Sequence, residues 1–389
     1  MSDRFRWHPE ARLFDSAGGE VSPPGRPMSV VPDSPQGLAD AIGLPAFRLG
    51  ATRHPPPESE PMPVFETLTS GSTGQPRRIL RTQASWTSSF AVNAGFGIGP
   101  GARVAVLGRL VHSLSLYGAI EGLHLGAELH LLADLRPDRQ RQALALRRIS
   151  HLYATPAQLR LLLDGHGCCP DLRLILVGGS KLDPVLRSAL VSLAPRAQVR
   201  EFYGAAETSF ITLADATTPD ASVGRPYPGV DLDLDPTGEV WVRSPYLFLR
   251  YAEPATATAT GTRWRDGWLS VGEIGALKDG YLILKGRAGR MVTVADQNVF
   301  PEEIEALLHG LEGVTRAAVL PVPDQKRGTV LVAVIQGRRS AEEAILSTLR
   351  RELGPLKAPR VLIWRDDWPC LASGKTDLTA LEATVAWPV

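Results

Sequence analysis

Residues 67–78 read TLTSGSTGQPRR and set Thr67, Thr69, Ser70, Ser72 and Thr73 around Gly71 and Gly74. Glycine lets the main chain approach a ligand closely, and successive N–H groups in such a turn form an anion-binding nest. Hydroxyls and backbone donors converging in this way make a phosphate cradle the expected chemistry. A Walker-type loop needs GxxxxGK[ST] between a strand and a helix. Here Gln75 and Pro76 follow the second glycine, so the lysine is missing and a helix start is interrupted. On these residues alone a Ser/Thr/Gly-rich surface linker stays open.

Six later segments fall in order behind the loop, and together they resemble the adenylate-forming superfamily over roughly residues 65–389. That superfamily includes acyl-CoA and aryl-CoA ligases, peptide-synthetase adenylation domains and luciferases. Residues 69–77 match its TSGSTGxPK loop, with Arg77 in place of lysine. The GGSKL run beginning at Gly178 resembles its GGAPL turn, which implies that Gly179 and Ser180 flank adenine. EFYGAAETS, residues 201–209, resembles YGxTE. The resemblance implies that Tyr203 stacks on adenine, that Gly204 lets the backbone approach and that Thr208 donates to the α-phosphate. It gives Glu207 to magnesium, a hard cation that is often held by one carboxylate plus substrate phosphates.

Glu273 stands at the aspartate of the family's TGD and can accept both ribose hydroxyls, with one more methylene to place. Arg287, in GRAGR, matches the arginine that reaches ribose and phosphate. PCLASGKTDLTAL, residues 369–381, resembles PxTxSGKxxRxxL and puts Lys375 on the family's catalytic lysine. Attack of a carboxylate on an α-phosphate builds negative charge, which a mobile ammonium can meet. His112 and Tyr117 match a segment near the family's carboxylate pocket. A histidine with its bonds satisfied at a strand end is the alternative for His112, and an ordinary exposed side chain is the alternative for Arg287 and Lys375. Tyr251 stands at a family tyrosine, with no chemistry assigned to it.

Composition bounds the rest. A chain of 389 residues exceeds the ~250 to 300 at which single cores stop growing, so two domains are expected. With 42 basic and 41 acidic residues the net charge is +1, which argues against a nucleic-acid surface. Three cysteines cannot build a disulfide framework and fit a reducing compartment. His166, Cys168 and Cys169 lack the spaced second pair of ligands that a structural metal needs. No apolar run approaches the ~20 residues of a membrane span, and the first residues carry no apolar signal core, so a cytoplasmic location is expected.

Several elements must position these groups. Residues 1–62 are rich in proline and are expected to be an irregular leader with one short helix near 35–42, shorter than the family's usual N-terminal region. Apolar strands alternating with helices then predict an α/β fold with a mainly parallel sheet. The strand at 172–177 ends at Gly178 and Gly179, where ligands bind in open α/β sheets. Asp183 and Pro184 give a strong helix start. The basic run 136–148 reads as a solvated helix face, with the phosphates of coenzyme A or an acidic carrier protein as the other reading. Alternating segments at 223–258 predict an antiparallel β subdomain.

The resemblance places the family's hinge at Gly289 and so implies a boundary there between a large domain, 1–288, and a small mobile α+β domain, 289–389; glycine tolerates the backbone change that a hinge requires. In the small domain Pro301 should open a helix and Gly310 close it, and Ser340 with Glu343 should form a capping box. The expected activity is that of an ATP-dependent carboxylic acid ligase. Acid and MgATP would give an acyl- or aryl-adenylate, and coenzyme A would then take the acyl group. Transfer to an acyl carrier protein or an amine is the near alternative, because Asp296 replaces a glycine in the region that lines the pantetheine tunnel of relatives. A non-catalytic AMP- or acyl-binding protein is the alternative of another class. Aryl and medium-chain acids are both compatible.

Overall fold

The computed structural model describes residues 3–23, 27–51, 53–58, 60–69, 77–253, 262–294, 297–324, 328–371 and 375–385. Its largest sheet has nine strands. The order runs from Arg225–Pro226 through Thr212–Ala214, Gln198–Tyr203, Leu174–Val177, His151–Ala154, Arg103–Val106, Glu128–Leu131 and Arg12–Phe14 to Glu20–Val21. Every pairing between Gln198–Tyr203 and Arg12–Phe14 is parallel, and the outermost pairings are antiparallel. The central runs LILV and HLYA are buried at every position, as strands covered on both faces must be. Helices Ser113–Leu125, Pro137–Leu146, Pro156–Leu163 and Pro184–Leu193 cross between these strands and enclose two apolar clusters. The α/β expectation holds.

The stretch expected to be an irregular leader is instead built into the core. Arg12–Phe14 joins the large sheet beside Glu128–Leu131, and Ala46–Leu49 pairs with Val64–Leu68 in a second, five-stranded sheet. Phe5, Leu13 and Phe47 are fully buried. Arg48 donates to Glu66 at 2.7 Å and to the carbonyls of His54 and Pro55, so its burial costs little unpaired charge. The strands here are two to four residues long, too short for their alternation to stand out from the surrounding prolines. The short helix, Pro35–Ala41, is present with Ser34 as its N-cap.

Downstream, four antiparallel strands, Asp231–Leu234, Val240–Arg243, Trp268–Ser270 and Arg263–Arg265, form the expected β subdomain. Beyond the Glu273–Lys278/Tyr281–Arg287 hairpin lies a smaller C-terminal part. It consists of a three-stranded sheet, helices Pro301–His309 and Glu342–Lys357, and a separate apolar cluster. Gly310 caps the first helix as expected. The capping box does not form. A 3-10 turn at Arg339–Ala341 displaces the start of the second helix to Glu342, and Ala341 caps it without a side-chain bond.

The basic helix is also not simply a solvated face. Arg136 and Arg139 face solvent, but Arg141 is buried and donates to the carbonyls of Leu162, Gly165 and Gly167. Among the described residues no helix is long and apolar enough to cross a membrane.

Candidate active site

The loop of residues 70–76, with Ser70, Gly71, Ser72, Thr73 and Gly74, lies outside the described residues, but its frame is defined. Val64–Leu68 and Arg78–Thr82 are antiparallel partners, so residues 70–76 connect strand to strand and not strand to helix. Its neck is closed twice: the Thr69 N–H donates to the Arg77 carbonyl at 2.8 Å, and the Arg77 N–H donates to the Thr69 hydroxyl at 2.9 Å. Leu68 also bridges to His112, which caps helix Ser113–Leu125. His112 is half-buried, and burial lowers its pKa, so the neutral ring is favoured beside the loop. Tyr117 does not join it. That hydroxyl is buried among Ser89, Asn93 and Glu121.

Glu207 is carried by a tight turn after strand Gln198–Tyr203. Gly204 is needed there, because an added Cβ would lie 1.7 Å from the Ser209 carbonyl oxygen. Thr208 is fully buried, and its Oγ1 accepts the Ala205 N–H at 2.9 Å. The hydroxyl thereby braces the turn that carries Glu207. Two residues without an expected role hold the turn from the loop's own strand and its neighbour. Tyr251 donates to Glu207 Oε1 at 2.8 Å while the Arg77 guanidinium lies 3.3 Å from the Tyr251 ring centre. Arg81, fully buried, donates to the carbonyls of Ala206 and Tyr246 and to Ser209 Oγ. Burial depresses its pKa to about 9, against the opposing pull of Glu207. An arginine in the middle of a strand whose neighbours are buried was the available signal for Arg81.

At the sheet's carboxyl end, Gly178 lies against Phe202, where an added Cβ would come within 2.1 Å of the ring. Gly179 follows with φ +99°, and Ser180 is exposed. Asp183 accepts the Leu186 N–H at 2.9 Å and caps the next helix, as the sequence predicts. Tyr203 ends the neighbouring strand. Burial and then Glu273 push its hydroxyl pKa well up, against Arg287, so the ring stays neutral.

Glu273 and Arg287 are cross-strand partners in the hairpin, with Arg287 Nε donating to Glu273 Oε1 at 3.0 Å. Glu273 is 8% exposed, and burial raises its pKa although Arg287 and Lys375 oppose the rise. For Arg287 burial is again the largest influence and lowers the pKa, but Glu273 more than offsets it. Lys375 reaches this group from the C-terminal part. Burial and Arg287 lower its pKa, while Glu273 and Glu207 raise it. It lines a cleft of about 690 Å³ together with Gly179, Ser180, Glu302 and His309.

The structure therefore gathers Tyr203, Glu207, Glu273, Arg287 and Lys375 at the mouth of the large sheet, and Glu207 is tied through Tyr251 to Arg77, which follows residues 70–76. Asp296 and the Ser373–Gly374 pair lie outside the described residues. Among the described residues no group of three or more His, Cys, Asp or Glu could hold a metal ion, the His166–Cys169 run included. Cys168 is an exposed thiol and Cys169 a buried one.

Comparison with known proteins agrees with this geometry. Residues 10–252 match the family model for the AMP-binding enzyme, and residues 303–375 match that for the AMP-binding enzyme C-terminal domain. The uncharacterized acyl–CoA ligase YhfT of Bacillus subtilis is 30% identical over 341 residues, which cover 84% of this chain and 69% of that protein. The 3-hydroxybenzoate–CoA ligase of an Aromatoleum species is 28% identical, covering 94% of this chain and 74% of that one. Among solved structures, the o-succinylbenzoate CoA synthetase of B. subtilis aligns with a TM-score of 0.71 at 23% identity, over 82% of this chain and 68% of its own. The amide bond synthetase McbA of Marinactinospora thermotolerans aligns with a TM-score of 0.78 at 20% identity, over 97% of both chains, and at this identity the likeness concerns the fold alone. With the loop's frame, the Glu273–Arg287 pair and Lys375 placed as they are, the chain belongs to the adenylate-forming family of AMP-binding enzymes.

Proposed function

We propose that this protein is an AMP-forming acid–thiol ligase, which joins a carboxylic acid to coenzyme A through an acyl- or aryl-adenylate. The observation that carries the reading is the arrival of Lys375, from the far end of the chain, beside the Glu273–Arg287 pair and Glu207. A nucleotide whose triphosphate lies over the loop at Thr69–Arg77 would present its ribose to Glu273 and Arg287 and its adenine to Tyr203 and Gly179. Glu207, oriented by Tyr251, is a hard oxygen ligand suited to the magnesium of MgATP.

In the first half-reaction a carboxylate oxygen attacks the α-phosphorus and pyrophosphate leaves. Arg77 and the loop stabilise the leaving group, and the Lys375 ammonium meets the charge that builds on the α-phosphate. His112, neutral at the loop's edge, borders the carboxylate's approach. In the second half-reaction the thiolate of coenzyme A attacks the acyl carbon and AMP leaves. Residues 289–389, a small domain in this reading, turn about Gly289 between the two steps. Gly289 adopts an ordinary φ here, and an added Cβ would have open space, so glycine is required, if at all, by the other arrangement.

The relatives' names point to coenzyme A as acceptor and to acids of aryl or acyl type. Acid-dependent ATP–pyrophosphate exchange over a panel of aryl and medium-chain carboxylates tests the first step, and parallel trials with coenzyme A, a carrier protein and an amine test the second. Exchange with some acid, lost in Lys375→Ala, is expected. An absence of exchange with every acid, alongside tight AMP binding, would establish the non-catalytic alternative.

A further inference from the structure

Gly289 lies between two arginines that face opposite ways. Arg287 ends its strand and is tied back to Glu273. Arg290 is tied forward, to both carboxylate oxygens of Glu305 at 2.8 and 3.1 Å and to the Val319 carbonyl at 3.2 Å. Glu302, near the start of helix Pro301–His309, spans the two. Its Oε1 accepts the Arg287 N–H at 3.4 Å and pairs with the Arg290 guanidinium at 3.3 Å. Its Oε2 is buried and has no hydrogen-bond partner among the described residues. An added Cβ on Gly286 would lie 2.6 Å from that oxygen, so glycine leaves the carboxylate room against the strand. Glu302 also lines the cleft that holds Lys375.

We propose that Glu302 is a positioning residue: a clamp across Gly289 that holds the helix, and with it the Lys375 segment, against strand Tyr281–Arg287 during adenylation and releases for the acceptor step. The proposal rests on the two-step reading above. When the small domain turns about Gly289, Arg290 and Glu305 travel with the helix while Gly286 and the Arg287 N–H stay with Glu273. Glu302 then keeps one partner and loses the other. The orphaned Oε2 makes the clamp releasable, because a buried carboxylate oxygen without a donor regains water when the faces part.

The test separates the half-reactions of the full-length enzyme. Glu302→Ala should lower kcat for ATP–pyrophosphate exchange by about 10-fold, the scale of a lost hydrogen bond to a charged group, with a smaller change in KM for ATP. Transfer from a supplied acyl-adenylate to coenzyme A should be unchanged or faster. Gly286→Ala, which leaves Glu302 in place but crowds its seat, should give the same split. Glu302→Gln, which keeps an accepting oxygen, should fall between Glu302→Ala and wild type. Equal losses in both half-reactions, or unchanged exchange in both Glu302→Ala and Gly286→Ala, would overturn the clamp. If wild-type enzyme shows no exchange with any acid, the ligase reading itself fails and the clamp fails with it.

Discussion

Lys375 is a half-buried cation with an arginine for a neighbour, an unfavourable position unless anions offset it. Glu273 and Glu207 do so in this structure, and a substrate phosphate would do so more strongly. Replacing Lys375 with alanine should cost ATP–pyrophosphate exchange on the order of 10² to 10³ in rate, by analogy with the loss of one oxyanion donor. Because burial lowers the Lys375 pKa from its ordinary 10.5, the cation is lost at lower pH than in a free lysine. The exchange rate should therefore fall on the alkaline side below pH 10.5, and Lys375→Arg should move that limb upward, as a pH–rate profile would show. Tyr251→Phe removes one hydrogen bond to Glu207. A loss of roughly 1 kcal/mol is expected, read as a weaker apparent affinity for magnesium in the exchange assay with adenine contacts intact.

Elements set what these side chains can reach. Residues 70–76 join two antiparallel strands, and Arg77 directly precedes the second, Arg78–Thr82, which carries Arg81, so Arg77 and the Glu207 turn are braced from one stretch of chain. Gly204 and Gly289 make opposite demands on that framework. Gly204→Ala drives a methyl into the Ser209 carbonyl and should lower the thermal midpoint markedly. Gly289→Ala meets nothing within 4 Å and should leave the midpoint unchanged or raise it slightly, by the ~0.4 to 1 kcal/mol that a restricted unfolded chain contributes. A differential scanning measurement on both variants checks the pair, and comparable destabilisation would contradict the account.

At the scale of the whole molecule, Glu121 is a core acid whose ionisation opposes folding. Glu121 is fully buried beneath the large sheet's helix layer and accepts from Tyr153, Tyr117 and Asn93 at its two oxygens. Burial raises its pKa to about 7 despite those bonds. A carboxyl whose folded pKa is raised binds its proton more tightly when folded. Its contribution is complete below the ordinary 4.5 and is lost as pH rises toward and past 7, a loss on the order of 3 kcal/mol by pH 8. Glu121→Gln should flatten the stability profile between pH 5 and 8, measured by urea unfolding across that range. A variant profile as steep as wild type would place the titration elsewhere.

Much of this site was legible in the chain because its chemistry lies in short runs. Residues 69–77, 201–209 and 369–381 name the phosphate turn, the carboxylate turn and the terminal lysine by local composition, and glycine and proline punctuate the elements around them. Those features depend on neighbours a few positions apart, which a linear sequence preserves. Two things depended on distant partners and appeared only in the fold. Strands Arg12–Phe14, Val30–Val31 and Ala46–Leu49 are two to four residues long and become core by pairing with partners 18 to over 100 residues away. Arg81 and Tyr251 acquire their roles because Ala206, Ser209 and Glu207 come to meet them. Thr208, by contrast, is fixed locally, by the N–H of Ala205 three positions before it. Hydrogen bonds and burial are pairwise and three-dimensional, so the partners of a polar side chain are decided by packing and not by its position in the chain.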